Sequence, residues 1–484
     1  MEEKRASFGS NIGFLMAAIG SAVGLGNIWG FPYKMGKCGG FTFVLVYFGL
    51  AVFVGSAIMM AELAMGRKTG QGVIGAYAAT TKHFKWVGWL AVFAPFVIMS
   101  FYSVLGGYCI EYMAINLSDL AFGNNGIPAA DLFGRMLTNP MGCVIFTMIF
   151  LLICYVINCG GISGGIEKFN IIGMPALFIM LVIIIIRSVT LPGAVEGLKF
   201  MFVPGYAVSA GFIAAQPSIL SVLAIAGGQM FFSLSLAMGA MITYGSYLSK
   251  KEDLVKNSWT IVVADTTVAL MAGFAVIPAA VANGIKNGIP LDEIKLGGPS
   301  LLFISLQDVF AEMGPIGPLF GVIFYVLVLI AAISSAISLI EVVTTFFLDR
   351  AEQKGKKGNR TKVVTIVCAA IAIEAFIVAI DGLGSNGVWV PFQNTFGVIG
   401  SFNDCWLDFM DCISEGIAMP LGALLMSIMV GWEIKPQALL GEIHEGSKIK
   451  ADAFFSICIR FVVPIAMTLI LIGQVSDYFG LGIV

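Results

Sequence analysis

Asp265 is the residue with the plainest chemical consequence. It interrupts the stretch between Trp259 and Pro278, which is otherwise free of charge. A charged side chain at the centre of a bilayer costs at least ~2.5–3.5 kcal/mol on insertion scales, so its default reading is an ion or substrate role. Farther along, Ser334, Ser338 and Glu341 follow at spacings of four and three. That spacing puts them on one stripe of a helix, with Ser335 beside them. Such hydroxyls commonly bond their own backbone carbonyls. Facing carbonyls freed from another helix, they would offer the oxygens that a hard cation such as sodium prefers. Glu62 is a further acid in an apolar run, read as a polar anchor. Asp404, Asp408, Asp411 and Glu415 form an acidic stripe near the other end of the chain.

Two segments could hold these groups because each breaks its own helix. The first apolar run contains Gly20, Gly24 and Gly26, then Asn27, Phe31 and Pro32. Each glycine weakens a helix by roughly 1 kcal/mol. Small residues also allow close helix packing, but Asn27 between the glycines and Pro32 favours an unwound segment. The sixth run is interrupted similarly, by Gly227, Gly228, Gln229, Ser233, Ser235 and Gly239. Non-helical backbone at membrane depth survives only where protein buries it or it lines a cavity. Interrupted helices five spans apart are the mark of an inverted-repeat transporter, with half-helix N-termini toward an anionic group and freed carbonyls toward a cation.

The elements that carry these residues are membrane spans. The chain has 484 residues, 58% hydrophobic and only 12% charged, with a mean hydropathy of +0.94. A soluble chain carries about a quarter charged residues. Apolar runs occur at 10–36, 41–66, 86–117, 140–158, 165–187, 219–248, 258–282, 315–349, 362–380, 405–432 and 453–474, about eleven crossings at ~20 residues each. Most loop Lys and Arg fall on the side of Lys4 and Arg5, which predicts a cytoplasmic N-terminus. With an odd number of spans the C-terminus is external. The first run is too long for a cleaved signal peptide. No soluble domain is expected. Within the loop at 283–314, residues 301–310 could form a short re-entrant helix over an external vestibule. The loop at 381–403 gives no clear element.

Several classes drop out. The net charge of −2 offers no basic footprint for nucleic acid. Two histidines and nine scattered cysteines do not suit a metal or haem centre, and the cysteines read as packing residues. The spans hold no nucleophile–base pair, so an enzyme is not expected. A channel would need rings of pore-lining groups.

The run Gly20-Ser-Ala-Val-Gly-Leu-Gly-Asn27 with Phe31-Pro32, and Gln229-x-Phe-Phe-Ser-Leu-Ser235, resemble the signatures of the neurotransmitter:sodium symporter family. The likeness extends from Lys4-Arg5 to Gly431-Trp432. It implies an all-α integral membrane fold of the leucine-transporter type, with broken helices 1 and 6. Residues 10–187 and 219–432 would be two inverted five-helix repeats of a single domain, and 453–474 an additional helix. The family's usual twelfth helix is missing. The resemblance implies one sodium site from the carbonyls of Gly20, Val23 and Ala331 with the hydroxyls of Ser334 and Ser335. A second would use the Ala22 carbonyl, Asn27, Ser233 and Asp265. Chloride-dependent members carry Asn at position 265. Of their chloride ligands, Tyr47, Gln229 and Ser233 match, but Ala269 replaces a serine. The negative charge of Asp265 therefore predicts chloride-independent transport. Asp265 could also take a proton on the empty return step.

The same resemblance sets out a substrate site. The amides of Leu25 and Gly26 and the hydroxyl of Tyr102 would bind a carboxylate, helped by one sodium. Amine carriers have Asp where this chain has Gly24, so an α-amino acid is expected here. Val23, Ile98, Phe232, Ser235, Met238, Ser338 and Leu339 would line the side-chain pocket, favouring hydrophobic or aromatic amino acids. Arg5 and Asp349, buttressed by Tyr247, match the inner gate. At the outer gate the usual Arg is Gly30, which leaves Asp411 without its usual partner, and Glu415 adds a second acid one turn away. Either Lys34, Lys37 or water compensates, or the acids receive a cationic amino acid or amine. The expected activity is sodium-coupled symport by alternating access in the cell (inner) membrane, by a monomer or weak dimer surrounded by lipid. An amino-acid sensor on the same fold is the rival from another class.

Overall fold

A computed structural model describes residues 8–123, 126–294, 296, 301–356, 358–392 and 404–481. Arg5 and residues 393–403 of the loop at 381–403 lie outside the described residues. Secondary structure in the described part is helical. Nine helices there are long and apolar enough to cross a membrane. We label the spans α2 (Phe41–Thr69), α3 (Val87–Phe122), α4 (Pro140–Cys159), α5 (Ile162–Val189), α7 (Leu254–Lys286), α8 (Gly314–Gln353), α9 (Arg360–Asp381), α10 (Trp406–Glu433) and α11 (Asp452–Phe479). A bent pair, Asn11–Ala22 and Gly26–Lys37, forms α1 with a 46° change of direction. The sixth run is α6, made of Ile219–Ser233 and the short Ala240–Gly245. Neither piece of α6 is long enough to cross alone, so the eleven runs comprise nine continuous helices and two broken ones.

Burial is graded as expected for a protein in lipid. α3 is enclosed around most of its surface, whereas α4, α5 and α11 leave most of theirs facing outward. Large apolar side chains such as Leu152, Val156, Ile172, Ile179 and Ile465 are exposed there. Water would penalise such a belt, whereas hydrocarbon does not. Eight of the nine cysteines are buried and all are free, which fits a packing role.

The two breaks differ from each other in construction. In α1 the helix stops at Val23, whose backbone is extended (φ −77°, ψ 97°), and resumes within two residues. In α6 the glycines at 227 and 228 do not break the helix. They are its contact face, because a Cβ on Gly227 would strike Ile470 and one on Gly228 would strike Gln474, both of α11. The break comes later, at residues 234–239. There Ser235 and Ala237 adopt φ of +51° and +60°. Positive φ in a residue with a Cβ costs of order 1–3 kcal/mol and persists where surrounding structure over-determines it. Here the Ser235 hydroxyl donates to the Ser21 carbonyl at 2.7 Å. The Ala237 amide donates to Glu62 Oε1 at 2.7 Å. Glu62 thus anchors a freed amide of α6, as its place in an apolar run suggested.

The loop between α7 and α8 contains a helix of its own. Leu301–Ala311 is a short apolar helix. It is held to α3 by a reciprocal amide pair, with Asn116 Nδ2 to Gln307 Oε1 at 3.0 Å and Gln307 Nε2 to Asn116 Oδ1 at 3.3 Å.

Candidate ion and substrate site

The freed carbonyls of α1 meet the hydroxyls of α8. Ser334 Oγ donates to Ala331 O at 2.8 Å and reaches Val23 O at 3.4 Å. Ser335 Oγ donates to Ser21 O at 3.0 Å and reaches Gly20 O at 3.3 Å. The five groups of the first expected cation site, Gly20, Val23, Ala331, Ser334 and Ser335, are therefore linked through the two serine hydroxyls. All are neutral oxygen donors, which suits an alkali cation better than a soft metal. Close beside them lies the side-chain carbonyl of Asn170 on α5. It is buried, has no hydrogen-bond partner among the described residues, and occupies the space where a Cβ on Gly20 would sit.

Asp265 is fully buried and is the centre of a second cluster. Its carboxylate accepts from Asn27 Nδ2 at 2.7 Å, from Ser233 Oγ at 2.9 and 3.0 Å, and from Tyr47 Oη at 3.3 Å. Asn27 also accepts from the Gly24 amide at 2.9 Å, tying the cluster to the break in α1. Gln229 Nε2 donates to the Gly26 carbonyl at 2.6 Å, which also accepts the Phe31 amide. The sequence reading grouped Tyr47, Gln229, Ser233, Asn27 and Asp265, and the fold gathers all five around the outer half of α1. Ala22, the remaining member, is buried at the end of the inner half.

Beyond this cluster, the Leu25 amide donates to Tyr102 Oη at 3.0 Å. The rings of Tyr102 and Phe232 lie 6.3 Å apart. A Cβ on Gly24 would lie 2.6 Å from Tyr102 Oη and would strike Ser335 Oγ. A side chain at 24 would therefore have to displace the hydroxyls of Ser335 and Tyr102. One on Gly26 would meet the Phe232 ring at 2.8 Å. Val23, Ile98, Met238 and Leu339 are buried. Ser338 is tied to its neighbours: Tyr244 Oη bonds it at 2.6 Å, and its own hydroxyl donates to Ser334 O at 3.0 Å.

At the end expected to be external the charges are compensated within the chain. Lys34 forms an ion pair with Glu415, whose side chains are 18% and 7% exposed. Tyr478 of α11 donates to Asp411 Oδ2 at 2.6 Å. Asp411 therefore has a partner, from the last helix and not from α1. Tyr478 escaped the sequence reading because nothing in the spacing of α11 ties it to α10. At the inner end, Asp349 Oδ2 accepts from the Gly72 amide. Tyr247 bonds Glu341 Oε1 at 3.0 Å and Thr345 Oγ1 at 2.9 Å. Glu341 also pairs with Arg360. An acid in an apolar span calls for a nearby cation, so this pair was discoverable from the sequence. Arg360 is the first residue of α9, and its Nε donates to Asn158 O at 2.9 Å, at the end of α4.

Two broken helices crossing a bundle of continuous ones, with oxygen donors gathered at the breaks, define a membrane carrier of a small cation and a small solute. The comparisons agree. The model of the sodium:neurotransmitter symporter family matches residues 5–126 and 135–483, and the chain belongs to that family. It is 33% identical to the uncharacterized sodium-dependent transporter YhdH of Bacillus subtilis (strain 168), over 98% of this chain and 99% of that one. It is 24% identical to the sodium- and chloride-dependent glycine transporter 1 of Xenopus laevis, over 98% of this chain and 79% of that one. The crystal structure of MhsT in complex with L-phenylalanine superposes with a TM-score of 0.83 at 31% identity, covering 97% of this chain and all of that one. The protein is thus a multi-pass, sodium-dependent transporter and not an enzyme.

Proposed function

We propose that this transporter couples inward sodium movement to uptake of an α-amino acid with a hydrophobic or aromatic side chain, without chloride. The observation that carries this reading is the cluster around Asp265. A carboxylate bonded to Tyr47, Ser233 and Asn27 occupies the group of donors that would otherwise attract an anion. The fixed charge supplies what chloride supplies in relatives that require it. One sodium binds among Gly20, Val23, Ala331, Ser334 and Ser335, and a second among Ala22, Asn27, Ser233 and Asp265. The substrate carboxylate meets the Leu25 and Gly26 amides and Tyr102. Its side chain faces Val23, Ile98, Phe232, Ser235, Met238, Ser338 and Leu339.

Support for an amino acid over an amine comes from Gly24, which supplies no acid to pair with an ammonium. MhsT, similar over nearly the whole chain, was crystallised with L-phenylalanine. A lysine-like substrate reaching Glu415 would first have to displace Lys34. The two halves, 10–187 and 219–432, act as inverted repeats of a single domain spanning 1–484, with 453–474 an added helix, and alternate access to the site between them. Arg5 and Asp349 close the inner side. The N-terminus is cytoplasmic and the C-terminus external in the cell membrane, and the working unit is a monomer or weak dimer. The test is uptake of the twenty amino acids into proteoliposomes, with sodium or potassium outside and gluconate replacing chloride. Sodium-driven uptake of Phe, Leu, Met or Trp in gluconate is expected. A strict chloride requirement, or uptake confined to lysine and arginine, would overturn the proposal.

A further inference from the structure

The seam between the outer half of α1 and α10 holds a charged contact that the expected gate residues do not account for. Gly30 and Lys34 are one turn apart on α1, and Asp411 and Glu415 are one turn apart on α10. The first member of each pair makes no contact with the other. Gly30 packs on Gln229, and Asp411 is bonded by Tyr478. The second members meet as an ion pair.

We infer that Lys34 and Glu415 form the outer gate of this transporter, and that Tyr478 is the positioning residue that keeps Asp411 from competing for Lys34. The inference rests on the transport reading above and names the part of the chain that closes its outer side. Three observations support it. The pair lies directly over the site: a Cβ on Gly228 would be 3.4 Å from Glu415 Oε1, and the next residue, Gln229, holds the Gly26 carbonyl. The pair is also at the boundary of the protein interior, since Lys34 keeps 18% exposure while Glu415 is nearly covered. A contact so placed can reach water when it opens, which a pair at the core cannot do without large cost. Finally, the same seam is held a second time on its rim, where Lys37 approaches Asp477 of α11 at 3.3 Å. The last helix thereby contributes Asp477 and Tyr478 to the closure of α1 on α10.

Hydrogen–deuterium exchange of the purified full-length protein in sodium, read by mass spectrometry, tests this without knowing the substrate. In Lys34→Met, exchange in Phe31–Lys37 and Trp406–Asp411 should rise roughly tenfold or more, as for truncation of one partner of a desolvated pair. Cytoplasmic peptides such as Gln437–His444 should not change. The double variant Lys34→Glu with Glu415→Lys should return the outer peptides toward wild type. Tyr478→Phe should give a smaller rise in the same peptides. Unchanged outer exchange in Lys34→Met would overturn the gate. So would an equal rise at the cytoplasmic end, which marks a structural role. If Lys34→Met does not fold, Glu415→Gln takes its place with the same expected and overturning results. Wild-type sodium uptake, measured separately, reports on the transport reading alone.

Discussion

Replacing Asp265 by Asn removes one charge and keeps the shape. The carboxylate contacts Asn27 and Ser233 at 2.7–3.0 Å, so a sodium ion shared among the three lies no farther than about 4 Å from the charge. At an effective dielectric of about 20, that separation gives about 4 kcal/mol of attraction. The Asn carbonyl retains one oxygen ligand, so we expect a loss of about 2–3 kcal/mol, or a rise in half-saturating sodium of roughly thirty- to 150-fold. The assay is a sodium titration of amino-acid uptake into proteoliposomes, in gluconate and in chloride. Asp265→Asn should be crippled in gluconate. Combined with Ala269→Ser, which adds a hydroxyl beside Tyr47, Gln229 and Ser233, it should regain part of its sodium affinity in chloride. A wild-type sodium half-saturation for Asp265→Asn in gluconate would refute the reasoning.

Other consequences are direct. Ser334→Ala and Ser335→Ala should each weaken sodium binding by about 1 kcal/mol, the usual worth of one neutral contact, seen as a roughly fivefold shift in sodium titrations of uptake. Gly24→Asp should abolish uptake, because its Cβ collides with Tyr102 and Ser335; melting temperature in detergent should show whether the fold survives. Glu62→Ala strands the Ala237 amide and should lower stability by about 1–3 kcal/mol, read as an earlier melting transition, with Glu62→Gln milder. Arg67 is buried and bonds Glu442 Oε1 and the Glu252 carbonyl, both at 2.7 Å. Arg67→Ala leaves the Glu442 charge without this partner and should cost about 3–5 kcal/mol in the same assay.

Much of this architecture was legible because lipid imposes simple rules. Apolar runs of fixed length gave the spans, and charge inside a span flagged Asp265 and Glu62. The register of Ser334 and Ser335 was also readable, since a helix fixes which residues share a face. What was not legible depended on which helices touch. The glycines at 227 and 228 looked like a break because glycine serves both breaks and close packing. Only the neighbourhood of Ile470 and Gln474 decides between them. Tyr478 and Asp477 were invisible for the same reason. Lys34 was named among several candidates for the missing outer cation, and the ion pair with Glu415 required the crossing of α1 and α10.

Glu62 stands on an unbroken helix yet holds the fracture of another. The strained turn at residues 235–237 therefore does not pivot on its own stretch of chain; its bearing is mounted on α2. A tilt of either piece of α6 would load that bearing, so under the proposed alternating access α2 is expected to move with the break in α6. The α8 hydroxyls and the α1 carbonyls, in contact here, are the pair that the proposed alternating access would have to separate. A covalent bridge from α2 to α6 would ride along with the cycle, whereas one from α1 to α8 would weld it shut.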